Sequence, residues 1–226
     1  MMRWFPQNIS TYGPDIDHLI HMIFWIVGVW FVATQALILW AVVFHRRGTG
    51  RKAAYVRGET WSQLAWVMVP VIVVFGLDLF IDEETAPVWA HIKEQRPAQG
   101  VHVKATARQF NWDFTYPGPD GEFGTADDLE LGNELHVPAG QNVLVDLQSK
   151  DVLHSFFLPV VRLKQDVVPG RTIKAWFNAT VPGHYELPCA ELCGFGHYTM
   201  RGFLDVHSPE DYAKWVAEKW PPKAAE

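Results

Sequence analysis

The chain has 226 residues, 49% of them hydrophobic, with 11 Trp, only 2 Cys and a formal charge of −6 at pH 7. That length suits one or two domains and excludes a large multidomain enzyme. Two cysteines cannot build the disulfide framework of a small secreted scaffold, although one bridge or a metal site stays open, and the acidity argues against nucleic acid as a partner. The mean hydropathy is that of a soluble protein. That average misleads, because the apolar residues are unevenly placed.

Residues 1–18 contain Asp15 and Asp17 against a single basic residue, Arg3, and do not read as a cleaved signal peptide. Residues 19–44 then run for 26 positions without Asp, Glu, Lys or Arg. As a helix this run reaches about 39 Å, enough to cross a hydrocarbon core of about 30 Å. A second uncharged run, residues 60–77, continues past Asp78 to Ile81 and is kinked by Pro70. Helices with no polar face are rare outside membranes, so residues 19–81 predict a transmembrane hairpin. Its loop carries Arg46, Arg47, Arg51, Lys52 and Arg57 against Glu59, which marks the cytoplasmic side and puts both termini outside.

Residues 82–100 read as a linker. Residues 82–226 carry 21 acids against 13 Lys plus Arg, whereas residues 1–81 carry 4 against 6. The exported part is therefore acidic. Over residues 101–207, short β-rich runs at 101–107, 110–116, 133–137, 142–147, 172–177, 184–187 and 202–206 alternate with Gly, Pro, Asp and Asn turns, as in a β-sandwich or small barrel. Residues 208–226 form a C-terminal helix and tail, with Ser208 as N-cap, Pro209 at N1 and acids in the first turn.

The densest chemistry lies between Cys189 and Met200, where Cys189, Cys193, His197 and Met200 fall within twelve residues; His154 stands upstream, before an apolar stretch. Soft sulfur with imidazole selects copper or zinc rather than magnesium or calcium. A disulfide between the cysteines and a two-Cys, two-His zinc site remain alternatives, but zinc leaves Met200 unexplained. Two thiolates this close in sequence can instead bridge two coppers, each with its own imidazole.

The whole chain resembles subunit II of the haem-copper oxidases, the cytochrome c oxidase type with a binuclear CuA centre. The matching stretches are Asp151 to Ser155, Leu163 to Arg171, Gly183 to Tyr185, Cys189 to Gly194 and His197 to Met200. The resemblance implies a two-helix anchor followed by an all-β cupredoxin-like sandwich with a short C-terminal helix, in a bacterial-type inner membrane and in contact with lipid. It implies His154, Cys189, Cys193, His197, Met200 and the carbonyl of Glu191 as copper ligands, and the Glu191 carboxylate as a magnesium ligand facing subunit I. It further implies assembly with subunit I and other oxidase subunits, and electrons arriving from cytochrome c for reduction of oxygen to water.

Three positions depart from the family pattern. Gln109-Phe110-Asn111-Trp112 stands where the family usually reads Gln-Trp-Tyr-Trp, so Phe110 occupies the electron-input position with Trp112 behind it. This favours a donor within a supercomplex, or a fused or membrane-anchored c-type cytochrome. An acidic loop follows; in it Asp120, Glu122, Asp127 and Asp128 are candidate calcium ligands, with a solvated loop as the plainer reading. Gln63 stands where many relatives have a proton-channel Glu, leaving Glu59 as the candidate proton-uptake acid. A CuA-type nitric oxide reductase subunit and a membrane-tethered copper chaperone or storage module are the competing functions. Assay with oxygen and nitric oxide separates the first, and easy copper handover marks the second.

Overall fold

The computed structural model describes residues 5–46, 48, 50, 52 and 55–220. Arg3, two of the loop cations (Arg47 and Arg51) and the tail at 221–226 lie outside the described residues. The chain separates into two units: residues 15–90, and residues 91–220 together with the segment 5–14.

The first unit carries the helices α1 (Gly13–Phe44) and α2 (Trp61–Trp89). Each is long and apolar enough to cross a membrane, and large apolar side chains such as Trp25, Phe31, Trp66 and Ile72 stand exposed on them, as lipid-facing surfaces do. Thr60 is the N-cap of α2, and Gln63 Oε1 reaches back past it to accept from the backbone N–H groups of Gly58 and Glu59 at 2.9 and 3.1 Å. Gln63 therefore serves the helix start. Glu59 is exposed, 3.9 Å from Arg57.

Both helices exceed the expected runs. The first begins at Gly13 rather than at residue 19, because Asp15 and Asp17 end the apolar span without ending the helix and acids suit a helix N-terminus. The expected linker at 82–100 is helical to Glu94: α2 continues through Asp82, Glu83 and Glu84 to Trp89, and a π-turn follows at Ala90–Glu94. Charge stops burial in lipid, yet Glu and Ala remain good helix formers.

The second unit is built from β1 (Val101–Arg108), β2 (Asn111–Tyr116), β3 (Leu129–Gly132), β4 (Glu134–Pro138), β5 (Asn142–Ser149), β6 (His154–Leu158), β7 (Leu163–Val167), β8 (Ile173–Asn178), β9 (Gly183–Pro188), β10 (Arg201–His207) and α3 (Pro209–Lys219). One sheet runs β3-β2-β1-β5-β8, a second β4-β10-β9, and β6 pairs with β7. Strand β1 is parallel to β5 and antiparallel to β2, and β10 is parallel to β4 and antiparallel to β9. Alternation sets the inner face, with Val103, Ala105 and Ala107 of β1 beside Val143, Val145 and Leu147 of β5. Trp112 of β2, fully buried, meets Phe156 of β6 edge-on at 5.6 Å and ties the large sheet to the small one. Ser208 caps α3 by accepting from the Asp211 N–H at 3.1 Å.

The N-terminal segment belongs to this unit. Ile9 N–H donates to Val160 O, Thr180 N–H to Ile9 O and Thr11 N–H to Asn178 O, at 2.9, 2.7 and 3.2 Å. Tyr12 is 1% exposed, packs edge-on against Trp176 at 5.2 Å and donates its hydroxyl to Trp176 O. Trp176 in turn donates its indole N–H to Ile92 O at 2.8 Å. Tyr12→Ala is expected to destabilise the β unit by about 3–5 kcal/mol, as loss of a buried aromatic does, and Tyr12→Phe by only about 0.5–1.5 kcal/mol. Denaturant titration of the two variants checks this; equal, small effects would show that the segment does not stabilise the unit.

Candidate metal centre

Strands β9 and β10 pair antiparallel, with Pro188 opposite Arg201. Residues 189–200 are thus a loop closed at its base, where the Cys189 N–H donates to Met200 O at 3.0 Å. The loop is tied to β6 by a bridge between Cys189 and Phe156 and by the Ala190 N–H donating to Ser155 O. A short 3-10 turn at His197–Thr199 folds the far side back. These pairings bring β6, which starts at His154, against the start of the loop.

Both cysteines are buried and free, with sulfurs 3.9 Å apart, about twice the length of a disulfide bond. His154 Nδ1 lies 3.9 Å from Cys189 Sγ, and Glu191 O lies 3.3 Å from the same sulfur. His197 Nδ1 and Met200 Sδ lie 3.6 and 3.8 Å from Cys193 Sγ. Each sulfur thus has its own imidazole and its own weak donor. Among the described residues, the His, Cys, Asp and Glu ligand atoms that converge within 4.8 Å are those of His154, Cys189 and Cys193; His197 is not in that group. A single four-coordinate ion would draw both imidazoles to one point. Two soft ions, one beside each imidazole, fit the donor set better.

Burial and then the neighbouring Cys189 thiol push the Cys193 thiol up to about 11. The Cys193 thiol is protonated at neutral pH until a metal displaces its proton. His154 is fully buried, and its Nε2 lies 2.8 Å from Asp151 Oδ1, which leaves Nδ1 facing the sulfur. Asp151 also accepts from the N–H groups of Val152 and Gln109, each at 2.6 Å. Burial alone would raise the Asp151 carboxyl, but the hydrogen bonds from His154, Gln109 and Val152 hold it below the usual value. Gln109 reaches the other side too, its Nε2 donating to Cys193 O at 2.6 Å.

Phe110 lays its ring on the loop. A Cβ at Gly196 would lie 2.5 Å from Phe110 Cδ2, and Gly194, at φ 133°, faces Gln109 Nε2 and the same ring. Only glycine allows that approach. The opposite side of the loop is bare and apolar: Leu192, Phe195 and Tyr198 are 77%, 95% and 81% exposed. Trp112 lies beneath His154, ring centroids 6.2 Å apart.

The other expected site residues do not join this cluster. The acidic-loop carboxylates are turned on their own loop: Asp120 accepts from the Glu122 N–H, Asp128 from the Gly124 N–H and Asp127 from the Thr125 hydroxyl. Among the described residues these acids form no convergent ligand group. Sequence reasoning missed Asp151 and Gln109 as partners of the cluster. Asp151, three residues before His154, carried a weak signal; Gln109 reaches Cys193 across 84 positions and carried none.

The family model described as cytochrome C oxidase subunit II, periplasmic domain, matches residues 101–206. An alternative cytochrome c oxidase subunit 2 of Bradyrhizobium diazoefficiens is 32% identical across 96% of this chain and 84% of its own length. A cytochrome c oxidase subunit 2 of Synechocystis is 28% identical across 96% and 78%. Among solved structures, the periplasmic domain of subunit II of cytochrome oxidase of Bradyrhizobium japonicum is similar, with 30% identity, a TM-score of 0.48, and coverage of 54% of this chain and 95% of that one. The chain belongs to the cytochrome c oxidase subunit II family, whose members are parts of a haem-copper oxidoreductase complex.

Proposed function

We propose that this chain accepts electrons from a c-type cytochrome at a binuclear CuA centre and passes them to haem in the catalytic subunit, where oxygen is reduced to water. The observation that carries this reading is the paired donor set: two sulfurs 3.9 Å apart, each with its own imidazole and its own weak ligand. Two coppers bound there and bridged by both thiolates would share one electron, so that redox cycling changes each bond little. The chain's own residues supply rigidity. The ladder base at Cys189 and Met200 fixes the loop, Asp151 orients His154, and Gln109 ties the Cys193 segment to the β1–β2 turn. The burial of Cys189, Cys193, His154 and Met200 keeps water from the donors.

The remaining assignments follow the same reading. The carbonyl of Glu191 faces Cys189, which leaves its carboxylate to hold magnesium toward subunit I. Phe110 covers the metal loop where the donor delivers its electron, with Trp112 behind it. A donor held in a supercomplex, or anchored in the membrane, suits the absence of a Trp at position 110. The hydrogen bonds of residues 9–12 to the β unit support a topology with the N-terminal segment and the domain together on the periplasmic side and the basic loop opposite.

Cys189→Ser is expected to abolish the mixed-valence, multiline copper EPR signal of the purified complex; a signal that survives would exclude bridging by Cys189. Asp151→Ala is expected to weaken copper binding by about 10–100-fold, as loss of a ligand-orienting partner does, read by chelator competition; unchanged affinity would remove Asp151 from the site. The net charge of −8 on residues 82–226 should steer a basic cytochrome, so that its second-order oxidation rate falls as salt rises. A rate indifferent to salt would exclude steering.

A further inference from the structure

Helix α3 is amphipathic and buries one side chain among the described residues, Trp215. Its indole lies face to face with His136 of β4, centroids 5.0 Å apart and planes inclined by 25°, and reaches over His207 of β10 at 6.3 Å. Tyr212 stacks with Trp215 at 5.5 Å, and Tyr116 of β2 meets it edge-on. Under this stack the two imidazoles meet nitrogen to nitrogen: His136 Nδ1 lies 2.9 Å from His207 Nε2. That distance is a hydrogen bond in which one ring donates and the other accepts. It exists only while at least one of the two facing nitrogens lacks a proton.

We infer that the His136–His207 pair is an acid-sensitive latch for the C-terminal helix: one added proton is tolerated, and a second breaks the bond and lifts Trp215 with α3. The surrounding charges explain the two steps. Glu134 of β4 lies 3.6 Å from His136 Nε2, and Asp205 of β10 lies 4.0 Å from Nδ1. His184 of β9 holds the other oxygen of Asp205 at 2.6 Å. From α3, Asp211 faces His207, itself paired with Lys214 at 2.9 Å and with Ser208; Tyr212 and Tyr116 complete the surroundings. A single charge on the pair meets the carboxylates of Glu134 and Asp205 and the face of Trp215, a favourable cation–π arrangement. A second proton sets two N–H groups against each other.

The direction of the titration agrees with this. Burial and then His136 push His207 below the ordinary histidine value, against Asp205 and Asp211. The undocked ring therefore binds its proton more readily. Docking is at full strength above about pH 6.5 and weakens as pH falls below it. The helix holds a second element at its far end, where the Trp220 indole N–H donates to Asp127 O of the acidic loop at 2.8 Å. Release of α3 frees that loop as well.

The test is hydrogen exchange of the full chain in detergent micelles, corrected for the chemical exchange rate. Between about pH 7.5 and 5, protection of residues 209–219 and 120–128 is expected to fall by up to about tenfold per unit of pKa depression, with β1 and β5 unchanged. His207→Leu, which keeps the Trp215–His136 stack, is expected to leave α3 protected at both values. Constant protection in the unmodified chain, or the same acid loss in His207→Leu, would overturn the latch. If the variant leaves α3 open even at neutral pH, 15N titration of the two imidazoles decides: two separated steps support a shared proton, and two independent ordinary titrations refute it.

Discussion

Two cysteine sulfurs held 3.9 Å apart would, as thiolates, repel by about 4 kcal/mol at an effective dielectric of 20, and nothing in the local sequence keeps them together without help. The backbone supplies the restraint. Pairing of β9 with β10 fixes the two ends of a twelve-residue loop, and the Cys189 N–H to Met200 O bond closes it. The bridge to Phe156 then sets the loop against β6, so that His154 arrives already facing sulfur. Asp151, between β5 and β6, and Gln109, in the β1–β2 turn, act as braces, one to each side of the cluster. Without the restraint, the two cysteines would separate, and a metal would first have to gather them.

The two units obey different solvent rules. Helices α1 and α2 expose apolar rings on every face, which only a lipid surroundings or partner helices can cover. The β unit buries its apolar residues by strand alternation and leaves an acidic surface. The apolar exposure in the β unit is concentrated where the metal loop turns outward, at Leu192, Phe195 and Tyr198. A surface of that kind above a desolvated cluster is shaped for contact with another protein.

How much of this could be read from the chain depends on the range of the interaction. The long helices and the Cys189 to Met200 loop are local patterns, and charge-free runs and ligand spacing expose them. Seven strands announced themselves by alternation and turn residues. Strands β6 and β7 did not: β6 is buried on nearly every residue and so lacks a period of two, and the Lys164-Gln165-Asp166 interior of β7 reads as a loop. Strand β3 is short and lies in an acidic, glycine-rich stretch. The Gln109 brace and the His136–His207 contact join residues 84 and 71 positions apart, where pattern carries no information. His136, His184 and His207 belong to no sequence motif, yet the register of β4, β10 and β9 places His136, Asp205 and His184 side by side.

The N-terminal strap carries a consequence for biosynthesis. Ile9 and Tyr12 emerge early in translation, but their partners, Thr180 and Trp176, follow 171 and 164 residues later. Both long apolar helices lie between them in the chain. The segment must therefore wait, unpaired, until most of the polypeptide has been made and the β unit has reached the same compartment. Contacts of such long sequence separation form late and slowly. Closure of the strap is thus a maturation checkpoint: a domain with residues 9–12 in place has completed both helices and the strand β8 that receives them.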